Sequence, residues 1–553
     1  MASNLGTNNI SRASDLLMSV SVCSEVNKAK ISNLATVASE ELLQMALEKE
    51  PLWLIDKDKK TEVLNIVEYK RRFASLDATL EEVIRVITTQ GTIDLPDLNE
   101  NAEFHGVSNE NLSRLRLQKD ASLLETEASR AVGVVSADPL SLVNMFMEVD
   151  HWSSVFSNVV SKASILGFLL TGEKINPDGV LQVVTADFHV PSPLCRTQEI
   201  CFARYFRQLD SNTWLVVDVS LDSIFPHLAL RCQRKPSGCL IQALHERSSK
   251  VTWVENNAVN NGSVHNMFRH VFTSGLAFGA NQWVATLERE FDRIAIMEKQ
   301  FDQFPAPKSA NGLQAGNKNL LKLAGRMVRS YNANMSSYSE NPWRLLPIIS
   351  AEDILVKTSF NLDDPGSPHG VSVTIATSVW LQIPQKDVFN FLCNTNNRKK
   401  WDVLSYGRGS REILHISCGR NPENVVSLLL AEPRPNKKIE MVYVQETFSD
   451  STGLYVVYAP IEMAAMHHIL EGKDSDIVSI LPCGFAVLPA NRSAMSEETE
   501  NIGGGSILSI AFEVMDEGLS SSENLPPQSV ITAYSIIRTT VDLIKAALLP
   551  IHD

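Results

Sequence analysis

The chain of 553 residues carries 50 Lys and Arg against 64 Asp and Glu, a formal net charge of −14, with 44% hydrophobic and 21% charged residues. That length allows roughly two to four domains with full cores, and the acidic balance argues against the chain itself gripping a phosphate backbone, which takes clustered Lys and Arg. No apolar run is long enough for stable membrane insertion, no signal peptide is read, and the 8 cysteines lack the close pairing of zinc sites, so reduced thiols and no structural metal are expected.

Residues 1–30, polar and rich in Ser and Asn, are expected to form a mobile tail. Ile31, Leu34, Ala38, Leu42 and Met45 then make a helical stripe that stops at Glu50-Pro51. Helical patterns recur around 78–88 and over 112–131, with a loop at 91–101. Asp138-Pro139 opens another helix, with Val143 and Phe146 inward, that runs to Trp152. Strands are expected at 180–190, 199–208, 213–221, 239–245 and 250–259, and Asp210-Ser211-Asn212 is turn chemistry that joins two of them as a hairpin. The segment 222–235 is oddly apolar for a loop. Its Ile224, Phe225 and Leu228 read either as a lid or membrane-touching tip, or as side chains tucked into the core.

From His270 to Phe301, Leu276, Ala280, Trp283, Leu287, Phe291 and Ile294 mark one face of a long amphipathic helix whose opposite face carries Glu288, Glu290, Asp292 and Arg293. The economical fold is α+β: an antiparallel sheet curled around this helix to bury its stripe. Gly275 and Gly279 lower helix propensity and imply close approach of backbone or ligand there. Residues 304–317 have linker composition. Beyond them the pattern repeats: an opening helix on Leu320, Ala324, Met327 and Tyr331, a strand at 372–381, and Pro384, Val388 and Phe391 at the spacing of Pro139, Val143 and Phe146. Trp401 follows as Trp152 does, then further strands and a closing helix from Val530 to Leu548.

The chain resembles the START lipid-binding domain, and more closely the START of plant homeodomain-leucine zipper class IV transcription factors. The matching text includes EASRAVGVV at Glu127, DFHVPSPL at Asp187, TWLVVDVSLD at Thr213, RKPSGCLIQ at Arg234 and SGLAFGANQWVATLERE at Ser274. It continues in the second half with LKLAGRMVRS at Leu321, DDPGSPHGV at Asp363, VYAPIEMAAMH at Val457 and LPCGFAVLP at Leu481. The resemblance implies a helix-grip START domain over 31–303 and a START-associated, START-like domain over 318–553. It also implies a hydrophobic, lipid or sterol-like ligand, a role in transcriptional regulation in the nucleus, and protein partners among related transcription factors. The family carries a homeodomain and a zipper before the START, and these 553 residues show neither, so direct DNA binding is not expected of them. The chain is read either as a truncated product or as a family member without its own DNA-binding domain. A cytoplasmic lipid carrier and a ligand-dead interaction scaffold are the alternatives.

Alternation on strand 199–208 puts Ile200, Phe202, Arg204 and Phe206 on one face. A charge on so apolar a face needs a partner. The hairpin places Asp218 opposite Arg204, Asp187 on the preceding strand is a second candidate, and a polar headgroup is a third. The START resemblance supports a cavity arginine near this position, while an ordinary cross-strand ion pair on a solvent face is the competing reading. Trp214, Leu276, Trp283 and Leu287 complete the cavity candidates. No nucleophile elbow, Walker loop or metal-spaced His/acid cluster occurs, so no enzyme is expected.

Overall fold

The computed structural model describes residues 12–56, 61–73, 124–170, 176–225, 232–245, 247–260, 264–302, 308–337, 342–348, 353–405, 407–433, 440–490, 504–516 and 526–548. The helix expected at 78–88, the loop at 91–101 and residue Leu228 lie outside the described residues.

The first half opens with α1 (Ala13–Val22) and α2 (Glu25–Leu47). Its sheet is built from β1 (Trp53–Asp56), β2 (Thr61–Leu64), β3 (Leu124–Val135), β4 (Val160–Leu170), β5 (Leu181–Phe188), β6 (Gln198–Asp210), β7 (Thr213–Ser220), β8 (Cys232–Arg234), β9 (Ser237–His245) and β10 (Ser248–Asn260). The strand order is β1-β2-β3-β10-β9-β7-β6-β5-β4, with β8 paired to β10. Because side chains alternate, each central strand feeds two cores. Phe202, Phe206, Trp214 and Val216 face inward, whereas Cys201, Ala203, Leu215 and Val217 face outward.

The outer face is covered by α2, whose Ile31, Leu42 and Met45 are fully buried, each contributing roughly 1.5–3 kcal/mol. The inner face receives α3 (Pro139–Met147), α4 (Val149–Val155) and, after α5 (Arg269–Thr273), the long helix α6 (Ala280–Asp302). As the Asp138-Pro139 dipeptide promised, α3 starts with proline in its first turn, and the Asp138 carboxylate accepts from the Ser141 N–H.

Several expectations are corrected. From Arg12 onward the supposed tail is folded: Met18 and Val22 of α1 are buried, and Ser24 caps α2 by accepting from the Asn27 N–H. The helix expected to 131 is strand β3 from Leu124, because β10 pairs with it along its whole length and tertiary pairing outweighs local propensity. The helix read as continuous from His270 is broken between α5 and α6. Gly275 takes φ 71°, and a Cβ at Gly279 would lie 2.2 Å from the Gly275 carbonyl oxygen, so backbone does approach closely there, but at a tight bend before α6 and not on the face of a continuous helix.

The linker expected at 304–317 is helical from Lys308. Here α7 (Lys308–Met335) docks Leu320, Ala324, Met327 and Tyr331 against the second sheet. That sheet comprises β11 (Arg344–Leu345), β12 (Ile354–Asn361), β13 (Gly370–Leu381), β14 (Ser410–Ser417), β15 (Val425–Ala431), β16 (Met441–Ser449), β17 (Leu454–Glu462), β18 (Cys483–Ala490) and β19 (Gly505–Met515). Its order is β11-β12-β13-β19-β18-β17-β16-β15-β14. With β8 set aside, this is the order of the first sheet strand for strand. Two helices, α8 (Gln385–Cys393) and α9 (Arg398–Trp401), follow β13 as α3 and α4 follow β3. After α10 (Met463–Leu470), the chain ends in α11 (Pro527–Leu548), which fills the inner face as α6 does. Trp152 and Trp401 are both fully buried in the matching inner cores.

The two halves meet through α6. Its apolar stripe packs into the first sheet, while its polar face is buried against the outer face of the second. Arg293 pairs with Glu446, the Arg289 guanidinium lies 4.0 Å from the Phe448 ring centroid, and the Gln282 amide donates to Asp450 at 2.8 Å. The charged side of this helix thus faces protein. Burial pushes the Asp450 carboxyl pKa up, while the cations around Glu290 outweigh its burial and pull its carboxyl down.

Candidate functional site

The interior of the first half is aromatic with a charged thread through it. Trp283 of α6 lies between Trp152 and Trp253, nearly parallel to both, with ring centroids 6.2 and 5.2 Å away. Its indole N–H donates to the Phe278 carbonyl at 3.1 Å, which ties the stack to the bend before α6. Leu287 is fully buried one turn further on.

Arg204 enters this core where alternation put it, and its register partner is Asp218. The guanidinium donates to both carboxylate oxygens, at 2.8 and 2.9 Å, and to the Phe146 carbonyl at 3.1 Å, while its centre lies 4.1 Å from the Trp152 ring centroid. Arg204 is 1% exposed, so this is a buried, bidentate pair and not one on a solvent face. Phe202, Phe206 and Trp214 share its face.

Asp187 does not. It lies one residue out of phase with the inward Phe188 and binds Arg12 at 2.7 Å on the other face of the sheet, which removes it from the interior candidates. Phe225 is buried and Ile224 packs beside it in the outer core, so the lid reading fails for both. A short turn returns them to the sheet, the Phe225 N–H donating to Leu221.

The charged thread continues through residues the sequence reading did not single out. The Arg234 Nη2 donates to Glu255 Oε1 at 2.7 Å and lies 3.5 Å from Asp218. Its Nε and Nη1 have no hydrogen-bond partner, and its guanidinium is surrounded by Phe188, Phe202 and Trp283. Glu255 also accepts from the Trp253 indole at 2.8 Å and from the Asn257 amide at 3.0 Å, leaving Asn257 Oδ1 buried and unpartnered. Burial pushes the Glu255 carboxyl pKa up despite the attraction of Arg234. Two cations and two carboxylates therefore balance inside an aromatic shell. The period that placed Arg204 would also have turned Glu255 and Asn257 inward with Trp253. Arg234 gives no such signal, because three residues of strand are too few to show a period.

Glu255 and Asn257 form part of the lining of a cleft of about 400 Å³. Its apolar lining includes Val63, Leu64 and Ile66 near the edge of the sheet, with Leu276 and Phe278 from the bend before α6. Ser451 of the second half also lines it, and the neighbouring Thr452 hydroxyl donates to the Leu276 carbonyl at 2.7 Å. Of the residues picked from sequence, Gly275, Leu276 and Gly279 line this cleft. Trp283, Phe202 and the Arg204–Asp218 pair are not part of its lining. The volume is in the range of small-molecule sites. Among the described residues, no group of three His, Cys, Asp or Glu is placed to hold a metal, and no helix is long and apolar enough to cross a membrane.

The START domain family matches residues 105–292, and the family described as PDF2-like, C-terminal domain matches residues 313–549. A human protein of known structure, described as the StarD13 (DLC2) lipid transfer and protein localization domain, aligns over 34% of this chain and 98% of its own, at 13% identity and a TM-score of 0.23, too low to carry an argument. The homeobox-leucine zipper protein HDG1 of Arabidopsis thaliana is 33% identical over 96% of this chain, which spans 62% of that protein's length. HDG12 from the same plant is 31% identical over 95% of this chain and is covered over 70% of its own length. On that identity and that coverage, together with both domain families in order, the chain belongs to the plant homeobox-leucine zipper family, class IV.

Proposed function

We propose that this chain is a ligand-binding regulator of transcription acting in the nucleus, and that its first half takes a hydrophobic small molecule into the cleft beneath the bend at 274–279. The observation that carries the reading is the cleft itself, with apolar walls at Val63, Leu64, Ile66, Leu276 and Phe278 and the polar Glu255 and Asn257 among its lining residues. A site of that kind binds and orients a small molecule, and binding is the activity we assign to it. The nuclear, regulatory part of the reading rests on the relatives named homeobox-leucine zipper proteins. With a net charge of −14, these residues act through ligand and protein contacts and not by holding DNA themselves.

Native mass spectrometry of the purified full chain tests the reading. A small molecule of lipid-like mass is expected to travel with the protein and to be lost from Leu276→Trp, whose larger ring fills the cleft. Retention of the same molecule by that variant would remove the ligand from this site.

A further inference from the structure

We propose that the turn at 450–453 of the second half is a clamp on the cleft, so that a ligand bound there is held by both halves and its presence is registered in the second. The proposal rests on the reading of the cleft as the ligand site and concerns how that site is closed. Ser451 is among the lining residues, together with Ser274, Gly275, Leu276, Phe278 and Gly279 of the bend. On either side of Ser451 the turn is bonded to the segment that carries those residues. The Thr452 hydroxyl donates to the Leu276 carbonyl at 2.7 Å, and Asp450 Oδ2 accepts from the Gln282 amide at 2.8 Å. Gln282 Oε1 in turn accepts from the Ser451 hydroxyl at 3.1 Å and from the Thr452 N–H at 3.3 Å. The bend is thus tied to the second half at Leu276 and again in the first turn of α6.

The clamp is preformed. Asp450 Oδ1 accepts from the Thr452 and Gly453 N–H groups, each at 2.9 Å, which fixes the turn between β16 and β17. Its other oxygen also accepts at 3.2 Å from the Asn158 amide, which reaches the Thr286 hydroxyl of α6 at 2.8 Å. One carboxylate therefore shapes the turn with one oxygen and ties it to the first half with the other. Gln282, Thr452 and Asn158 are 1%, 2% and 3% exposed, so water competes little for these bonds. A small molecule that fills the cleft lies against Leu276 and Phe278 of the first half and against Ser451 of the second. Its contact with Ser451 exists only while the turn is docked, so it binds the docked arrangement more tightly and by linkage stabilises it. Loosening the turn frees the bend, a wall of the cleft, and weakens the hold on the ligand by the same factor.

The test uses the full chain and 1-aminoanthracene, a neutral probe whose fluorescence rises in apolar surroundings. On the native sequence, saturating probe is expected to slow amide hydrogen exchange roughly tenfold over 449–453 of the second half as well as over 274–279. Gln282→Ala, which cuts the tie to Asp450 but leaves the turn's own bonds, is expected to raise the probe's dissociation constant about tenfold and to speed its release. Ser378→Ala removes a hydrogen bond to Ser192 across the same junction, outside the lining of the cleft, and is expected to leave probe binding unchanged. Exchange is measured without any substitution, so a variant that fails to fold does not decide the outcome. If Leu276→Trp abolishes probe binding but exchange over 449–453 does not respond to the probe, the clamp falls and the cleft stands. Equal weakening by Ser378→Ala and Gln282→Ala also overturns the clamp, since the coupling then belongs to the junction at large. Probe binding that survives Leu276→Trp, or no binding at all, overturns both the cleft and the clamp.

Discussion

The two halves share one strand order and one closing helix but fill their interiors differently. In the first, the pair facing the closing helix from β6 and β7, the sixth and seventh strands of the repeat, is Arg204–Asp218, extended by Arg234 and Glu255 to four charges. In the second, the corresponding strands place Gln445 opposite Tyr458. A single arginine, Arg398 of α9, holds Asp402 at 2.8 Å and Gln445 at 3.1 Å beneath the rings of Tyr443 and Tyr458. Trp401 meets Phe485 edge-on at 5.0 Å, filling the centre of that core with aromatic contact. The same backbone frame thus supports an ionic interior beside a cleft and a packed aromatic one. The difference shows that the repeated frame comes from the alternating apolar pattern, while the character of each interior is set by a handful of inward polar positions.

The contrast breaks most sharply at Asp218. Asp218→Ala leaves the Arg204 guanidinium with only the Phe146 carbonyl and is expected to lose about 3–5 kcal/mol of stability in urea unfolding. Arg204→Leu with Asp218→Leu should recover part of that loss. In the second half, Arg398→Leu is expected to cost about 1–3 kcal/mol, because Asp402 keeps the Ser405 N–H as a donor and is not fully stranded. Equal losses at the two sites would mean that the four-charge thread has no energetic meaning of its own.

Acid titration separates the halves in another way. His189 of the first half is buried, and its Nε2–H donates to the Ser157 carbonyl at 2.8 Å; burial holds its pKa down at about 4. The unfolded chain binds this proton below the ordinary histidine pKa near 6.5 and the folded chain only below about 4, so stability is lost as pH falls through that window, by about 3 kcal/mol in all. His189→Gln should flatten that limb of the stability curve. Lys357 of the second half is held down at about 8 by burial, so between about 8 and the ordinary lysine range near 10.5 the unfolded chain binds more protons and stability should rise with pH. Lys357→Met should remove that rise.

The smallest effect lies at the junction. Thr452→Val deletes the hydroxyl that donates to the Leu276 carbonyl and is expected to cost about 0.5–1.5 kcal/mol. Its signature is local: faster amide hydrogen exchange over 274–279, with the strands of both sheets unchanged. Unchanged exchange there would show that the second half does not hold the wall of the cleft.

The sequence alone determined the central strands, the hairpin register that sets Arg204 against Asp218, and the repetition of the architecture, because a period of two and a short turn leave few arrangements that bury the apolar face. The match of Pro139, Val143 and Phe146 with Pro384, Val388 and Phe391 belongs to the same class of local signal. Only the tertiary structure decided that Leu124–Val135 is strand and not helix, since its partner β10 lies more than a hundred residues away in the chain. It also decided which face of β5 carries Asp187, where Phe225 turns, and that the polar side of α6 is covered by the second sheet. Polar residues read alone look solvent-facing. Arg234, Glu255 and Asn257 become an interior network only when separate strands bring them together, and the physical reason is that buried charges are tolerated by virtue of partners that are distant in sequence.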